Sequence, residues 1–180
     1  RGYGVFARLY SSNGTAKGNE FRVNQTTLHW QYRPDVAMDR SGNFTIVWMT
    51  AGQDNDLQND WGIYARMFTA SGADYVLPPK GHVGEFRVNA AVEGNQTDPA
   101  IAMDAVGNFI VAWAGPSTDP DPVVAATNGI DIFARLIDPP NQVDLQGTAG
   151  NDKLEFVAGS SLATSVVKLN GAVVSLPTSG

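Results

Sequence analysis

A seven-residue segment rich in carboxylates and amides is the first part of this sequence with the chemistry to bind a metal. Residues 54–60 hold three aspartates, with two asparagines and one glutamine among them. Clusters of such oxygens suit Ca²⁺, which takes carboxylate, amide and carbonyl ligands. The segment is not an EF-hand, because Asn59 and Ala65 stand where that loop needs Gly and Glu. It predicts either a calcium site at Asp54, Asp56 and Asp60 or a solvated loop.

Two aspartates at matching positions could form a second kind of site. Asp39 and Asp104 each precede a Gly-Asn-Phe segment by two residues. A pair of carboxylates is the machinery of many glycosidases, so an acid–base pair is one hypothesis. An aspartate that opens a tight turn can instead accept backbone N–H groups of that turn. Because both aspartates lie in the same repeated turn, we favour capping and predict no catalytic residues.

A third candidate site combines aromatic rings with an amide. Trp30, Gln31 and Tyr32 follow one another between two predicted strands. Exposed aromatic side chains beside amides could bind a sugar ring, which makes these three residues candidate ligand-binding residues. The alternative is that Trp30 packs over the edge of a sheet.

Composition excludes several classes of function. The 180 residues carry a formal net charge of −6, with 43% hydrophobic and 17% charged residues. The apolar content suffices for a core, while the acidic balance argues against nucleic acid and anionic membranes as partners. Cysteine is absent and there are two histidines, which leaves little material for a zinc site or a histidine triad. No apolar run approaches the roughly 18 residues of a membrane span, so we expect no membrane insertion.

A sequence repeat organises the chain. Three elements recur at an offset of 65 residues, and a fourth, of the type Ile-Tyr-Ala-Arg, occurs three times. Each element is short, rich in β-branched and aromatic residues, and bounded by Gly, Asn, Asp or Pro, which is typical of strands. The predicted strands are 3–10, 20–24, 35–39, 43–49, 62–69, 85–89, 100–104, 108–114 and 130–137.

The alternation of side chains predicts how these strands pack. Phe44, Ile46 and Trp48 share one face of their strand, and Val47 lies on the other, so both faces are apolar. Central strands of this kind are covered on both sides. We therefore predict an all-β fold of tandem four-stranded antiparallel sheets that resemble β-propeller blades, with a two-sheet β-sandwich as the alternative.

The repeat also divides the chain into two parts. Residues 1–138 contain two propeller-like units and one orphan leading strand, and a break at Asp138-Pro139-Pro140 starts a short strand-rich segment at 139–180. Two blades cannot close a propeller ring. The orphan strand therefore predicts self-association, or packing against neighbouring repeats of a longer chain.

The order of the elements resembles a tandem repeat of large secreted bacterial proteins, which often carry haemolysin-type (RTX-like) calcium-binding repeats. The matching string is Ile-Tyr-Ala-Arg-x-Phe, a Gly-rich turn, Glu-Phe-x-Val-Asn and Pro-x-Ile-Ala-Met-Asp-x-x-Gly-Asn-Phe-x-Val-x-Trp, within residues 2–137. The resemblance implies an extracellular or cell-surface location and a scaffold role, and it implies no reaction.

Residues 147–155 resemble the calcium-binding nonapeptide of that family, with Thr148 in place of an expected glycine. The resemblance implies Ca²⁺ at Asn151 and Asp152, although one copy cannot supply a complete shell of oxygens. A plain turn that enters a strand is the alternative.

These observations lead to one expected function and two alternatives. We expect a non-enzymatic, secreted or cell-surface repeat module with a structural or adhesive role, stabilised by calcium. The first alternative is a carbohydrate-binding module with a glycan partner. A glycoside hydrolase on a propeller scaffold is the less favoured alternative.

Overall fold

Every regular element that the structure describes is a β-strand, which confirms the predicted all-β class. The computed structural model describes residues 2–53, 60–76, 83–117 and 129–138, and the backbone of four further strands between 141 and 174. Within these residues no helix is long and apolar enough to cross a membrane. The strands are β1 (Phe6–Ala7), β2 (Phe21–Arg22), β3 (Gln31–Met38), β4 (Phe44–Ala51), β5 (Trp61–Phe68), β6 (Glu85–Arg87), β7 (Thr97–Met103), β8 (Phe109–Pro116), β9 (Ile130–Asp138), β10 (Asn141–Gln146), β11 (Leu154–Val157), β12 (Val166–Leu169) and β13 (Ala172–Val174).

The strands form antiparallel sheets in which neighbours in sequence are neighbours in space. A half-sheet contains β1 and β2, sheet 1 runs β3-β4-β5-β6, sheet 2 runs β7-β8-β9-β10, and a tail sheet runs β11-β12-β13. None of these sheets closes on itself. The tandem four-stranded sheets are therefore as predicted, and their propeller-like arrangement remains a proposal taken up below.

The sheets do not begin where the sequence repeats begin. The Glu-Phe-Arg-Val-Asn element pairs with the strand before it, so that β2 pairs with β1 and β6 pairs with β5. The register is the same in both cases: Phe6 lies opposite Arg22, and Tyr64 lies opposite Arg87. The element that the sequence suggested as the first strand of each unit is thus the fourth strand of the preceding sheet. A repeat defines a period but no starting point, which is why the boundary was misplaced.

Sheet 2 obtains its fourth strand from the segment 139–180. β10 pairs with β9 over six residue pairs, from Asn141 opposite Asp138 to Gln146 opposite Phe133. No strand was predicted here, because residues 141–146 lack the Glu-Phe-Arg-Val-Asn sequence of β2 and β6. The three strands of the tail sheet match the predicted strand candidates closely, with β12 at the expected residues.

Two hydrophobic clusters cover the two faces of sheet 1, as the alternation in β4 predicted. One cluster joins sheet 1 to the half-sheet, and the other joins sheet 1 to sheet 2. Trp48 is fully buried and Trp113 is nearly so, which confirms both as core residues. The first cluster contains Val5, Val23, Phe44, Ile46, Trp48, Tyr64 and Phe68, and the second contains Val47, Met49, Ile63, Ala65, Met67, Val88, Phe109, Val111, Trp113 and Ile137.

A repeated arginine links each sheet to the one before it. The Arg66 guanidinium donates a 2.7 Å hydrogen bond to the Val23 carbonyl, and Arg135 donates one of 2.7 Å to the Val88 carbonyl. Arg66 also forms an ion pair of 2.7 Å with Asp74 and lies 5.0 Å from the centre of the Phe68 ring. The expected stacked, partly buried guanidinium is therefore confirmed, and its target is a backbone carbonyl of the neighbouring sheet.

Candidate binding surface

The chain around residues 24–31 is built on a buried amide network that recurs 65 residues later. Asn24 donates to the Gln31 side-chain oxygen at 3.2 Å, and Asn89 donates to that of Gln96 at 3.0 Å. Gln31 in turn donates to the Leu28 carbonyl at 2.8 Å. All four amide side chains are buried. The amide of Gln31 therefore holds the connection before β3 in place and lies beneath the surface on which a ligand would bind.

Four aromatic side chains form a surface at the end of sheet 1 where β3 begins, which we call the aromatic surface: Tyr3, Trp30, Tyr32 and Trp61. The Tyr3 and Tyr32 rings are 4.9 Å apart at 65°, and the Tyr32 and Trp61 rings are 6.0 Å apart at 86°. Trp30 is 51% exposed and Tyr3 is 63% exposed. The surface thus brings together two predicted ligand-binding residues, Trp30 and Tyr32, with two rings that the sequence did not suggest.

The backbone at this end of sheet 1 is unusual, and it determines where the rings lie. His29 has a φ of 65°, a left-handed conformation, and the matching residue of the next unit is Gly94 with a φ of 70°. A bulge follows between Tyr32 and Asp35, where Arg33 has a φ of 49°. Bulges turn side chains away from the regular alternation of a strand. In β3 this places the Tyr32 ring against Tyr3 and Trp61.

The Tyr32 hydroxyl is held in its neutral form more firmly than a free tyrosine. Partial removal of water raises the pKa of Tyr32 above its ordinary value of 10, and the hydrogen bond and charge interaction with Tyr3 raise that pKa further. The phenol is therefore protonated at neutral pH and can donate or accept a hydrogen bond at the rim of the aromatic surface.

The two repeated aspartates lie in the turns that we predicted they would cap. Oδ1 of Asp104 accepts the backbone N–H groups of Val106 and Asn108 at 2.9 and 3.0 Å, and Oδ2 accepts the Asn108 side-chain amide at 2.7 Å. Asp39 makes the same three bonds in its own turn. The capping prediction is confirmed, and each carboxylate is engaged by its own turn.

Most of the predicted metal ligands fall outside the described residues, namely Asp54, Asp56, Asn151 and Asp152. Asp60 is described, and its carboxylate accepts the Gly94 N–H at 2.8 Å, which connects the end of sheet 1 to the loop before β7. Among the described residues no group of three or more His, Asp or Glu side chains could hold a metal ion.

Glu85 is an important residue that the sequence reasoning overlooked. Its carboxylate accepts the Gln25 N–H at 2.7 Å, the Thr26 N–H at 3.1 Å and the Gln53 side-chain amide at 2.7 Å. These bonds connect β6 to the loop that follows β2. The recurrence of Glu at the first position of the Glu-Phe-Arg-Val-Asn element was the available signal, because a matched carboxylate on a strand needs donors nearby.

A cavity of about 180 Å³ lies between the turn of sheet 1 and the turn of sheet 2. Its lining includes Asp39, Thr45, Tyr75 and Asn108. The Thr45 side chain is fully buried, and its hydroxyl has no hydrogen-bond partner among the described residues. The matching residue of the next unit is Ile110, which is also buried. The position therefore accepts a hydrocarbon side chain in one of the two sheets.

Replacing Thr45 with valine should stabilise the protein. The Thr45→Val substitution keeps the shape and removes an unpaired buried hydroxyl, which costs about 1–3 kcal/mol when it is not compensated. We expect an increase of about 1 kcal/mol in the free energy of unfolding, measured by urea denaturation. Thr50→Val is the control, because the buried Thr50 hydroxyl has Gln31 as a donor at 3.5 Å, and this variant should not gain stability. A loss of stability in Thr45→Val would show that cavity water binds the hydroxyl.

Comparison of the chain with models of protein families, with curated proteins and with solved structures found no match. The geometry described above therefore carries the functional proposals that follow, and the resemblance to the secreted bacterial repeat stays a prediction.

Proposed function

We propose that this chain is a non-enzymatic structural module with an adhesive role, built from stacked repeat sheets and located at the cell surface or outside the cell. The observation that carries the proposal is the repeated cross-sheet hydrogen bond from Arg66 to Val23 and from Arg135 to Val88. A contact that recurs with the same residue types at both interfaces indicates that stacking, and not one particular pocket, is the feature common to the units.

The arrangement of the first strands supports a propeller-like stack. Asp35 of β3 accepts the Ile101 N–H of β7 at 3.0 Å, and the Arg40 N–H donates to the Ala105 carbonyl at 3.2 Å. The first strands and first turns of sheets 1 and 2 therefore touch each other. Neighbouring propeller blades bring their inner strands together around an axis in this way. We propose the same arrangement for further units of the repeat.

Cooperative unfolding tests the structural role. If the sheets act as one load-bearing unit, far-UV circular dichroism and tryptophan fluorescence should report a single, coincident transition in urea. Arg66→Gln and Arg135→Gln, at different interfaces, should both move that one transition to lower urea. Separate transitions, or a substitution that affects only one probe, would contradict the proposal. Repeating the measurement in calcium and in chelator tests the proposed stabilisation by calcium, which requires a higher midpoint with the metal.

A carbohydrate-binding role is the second candidate, and the aromatic surface favours it. Exposed rings give sugar faces an apolar platform, and the neutral Tyr32 hydroxyl adds a hydrogen-bonding group beside them. Residues Arg33 and Asp98 add an exposed ion pair of 3.1 Å directly after Tyr32. The surface would therefore suit a short neutral oligosaccharide with some polar contacts along one side.

Calorimetric titration with maltohexaose, cellohexaose and chitohexaose tests this second role. Trp30→Ala should abolish the binding heat, whereas Leu28→Ala should leave it unchanged because Leu28 is exposed nearby but carries no ring. Base or ring stacking on an aromatic side chain is worth about 1–3 kcal/mol in comparable sites, so the loss should be easy to measure. Equal binding by both variants, or no binding by the wild type, would remove the proposal.

A further inference from the structure

The half-sheet exposes aromatic side chains at positions that are buried in sheet 1. Phe6 and Tyr10 of the first unit correspond to Tyr64 and Phe68 of the second, at a constant offset of 58 residues. Phe6 is 49% exposed and Tyr10 is 55% exposed, whereas Tyr64 is 9% and Phe68 is 2% exposed. The difference lies in the surroundings, because the local structure repeats: the Tyr10–Ala16 and Phe68–Asp74 bridges follow the same offset.

Sheet 1 shows what covers these positions when they are buried. The Phe68 ring stacks on Phe44 of β4 at 5.0 Å and contacts the edge of Phe21 at 5.4 Å. Phe44 belongs to the hairpin formed by β3 and β4 in the same sheet, and Phe21 belongs to the half-sheet. Among the described residues, the half-sheet has no counterpart of that hairpin, and the Phe6 and Tyr10 rings contact Arg22 and Arg8 at 5.2 and 5.6 Å.

One edge of β1 also lacks a neighbouring strand among those described. β1 pairs with β2 alone, whereas the corresponding strand β5 lies between β4 and β6. The Val5 carbonyl accepts the Val23 N–H on the β2 side, and backbone groups alternate along a strand. The N–H and C=O groups of Phe6 and Arg8 therefore point to the opposite edge. Tyr64 and Arg66, at the same positions in β5, lie opposite Trp48 and Ile46 of β4.

We propose that the aromatic face and open edge of the half-sheet are a docking surface for a β-hairpin of the repeat's own type. The hairpin would have the sequence features of β3–β4: an Asp-x-x-Gly-Asn turn followed by a Phe-x-x-x-Trp strand. That second strand would add to β1 by antiparallel pairing and place its Phe against Tyr10. The inference rests on the structural role proposed above, because it requires units of this repeat to add to one another.

A chain that carries its own extra hairpin tests the proposal. A second copy of residues 31–60 is joined directly before Tyr3, since residue 60 precedes Trp61 and Trp61 corresponds to Tyr3. We expect hydrogen exchange at the Phe6 and Arg8 amides to slow by at least about tenfold, as those groups enter a sheet. The matched control carries Phe44→Ser and Trp48→Ser in the added copy alone, and its exchange should equal that of the original chain. Unchanged exchange in the fused chain would overturn the proposal.

Two further measurements keep the test decisive. If the fused chain does not fold, a synthetic peptide of residues 31–51 is titrated into the original chain, and shifts of the Phe6 and Arg8 amide signals are expected. Light scattering of the original chain then tests the other occupant: a dimer that Phe6→Ser with Tyr10→Ser abolishes would overturn the hairpin in favour of a second copy. These results are separable from the urea experiment, which probes contacts already present between the sheets.

Discussion

Trp48→Ala should remove a large share of the free energy of unfolding. The Trp48 side chain is fully buried, and it joins the face of sheet 1 to the half-sheet. Truncation of a buried Trp to Ala costs about 3–5 kcal/mol, through lost burial and the cavity that remains. Domains of this size have a total stability of about 5–15 kcal/mol, so urea denaturation should show a midpoint near half its original value or lower.

A conservative variant and an exposed tryptophan provide the controls for this experiment. Trp48→Phe should cost much less, because the Trp48 indole N–H has no hydrogen-bond partner among the described residues and its removal offsets part of the lost packing. Trp30→Ala should change stability by less than about 1 kcal/mol, because half of that side chain is in solvent. Comparable losses in Trp48→Ala and Trp30→Ala would contradict the assignment of Trp48 to the core.

Asp104→Ala should be the second most damaging of these substitutions. The Asp104 side chain is 4% exposed and accepts three hydrogen bonds, two of them from backbone N–H groups of its turn. Removing the carboxylate leaves the donors of Asn108, itself buried, without acceptors. Unsatisfied buried groups cost about 1–3 kcal/mol each, so we expect a loss of about 3 kcal/mol in thermal or urea unfolding.

The repeat supplies a matched comparison for Asp104. Asp39 makes the same three bonds, but its turn includes the exposed Ser41, so water can replace the lost acceptor there. Asp39→Ala should therefore cost about 1 kcal/mol, within the range of an exposed cap. Equal losses at the two positions would show that burial does not determine the energy. A gain of glycoside hydrolysis by either intact aspartate pair over the variants, in an activity screen, would reopen the catalytic hypothesis.

The sequence was a good guide to the strands, their faces and their caps. Alternation in residues 44–48 predicted two covered faces, and the positions of Asp39 and Asp104 predicted their bonds, because both depend on local patterns that repeat. The pairing partner of the Glu-Phe-Arg-Val-Asn element was not predictable, since both of its neighbours along the chain are strands. β10 was missed for a related reason: pairing with β9 depends on an available edge and not on a motif.

The candidate binding surface was only partly accessible from sequence. Trp30 and Tyr32 were suggested by residue type, but Tyr3 and Trp61 join them through tertiary contacts between segments far apart in the chain. Gln31 was suggested as an exposed amide, and its burial follows from Asn24, whose matching residue Asn89 makes the same contact with Gln96. Comparing the two repeats position by position would have revealed this pair of buried amides, because both residues recur at the same offset.

The mismatch between sequence repeats and sheets has a genetic consequence. Each full sheet takes three strands from one period and its fourth from whatever follows, as β6 shows for sheet 1. A crossover that adds or removes one period of 65 residues in frame restores the same strand order wherever the breakpoint falls. Genes for such chains can therefore lengthen or shorten by unequal recombination without a breakpoint that coincides with the edge of a sheet. Selection can then act on the number of units while the fold of each unit is preserved.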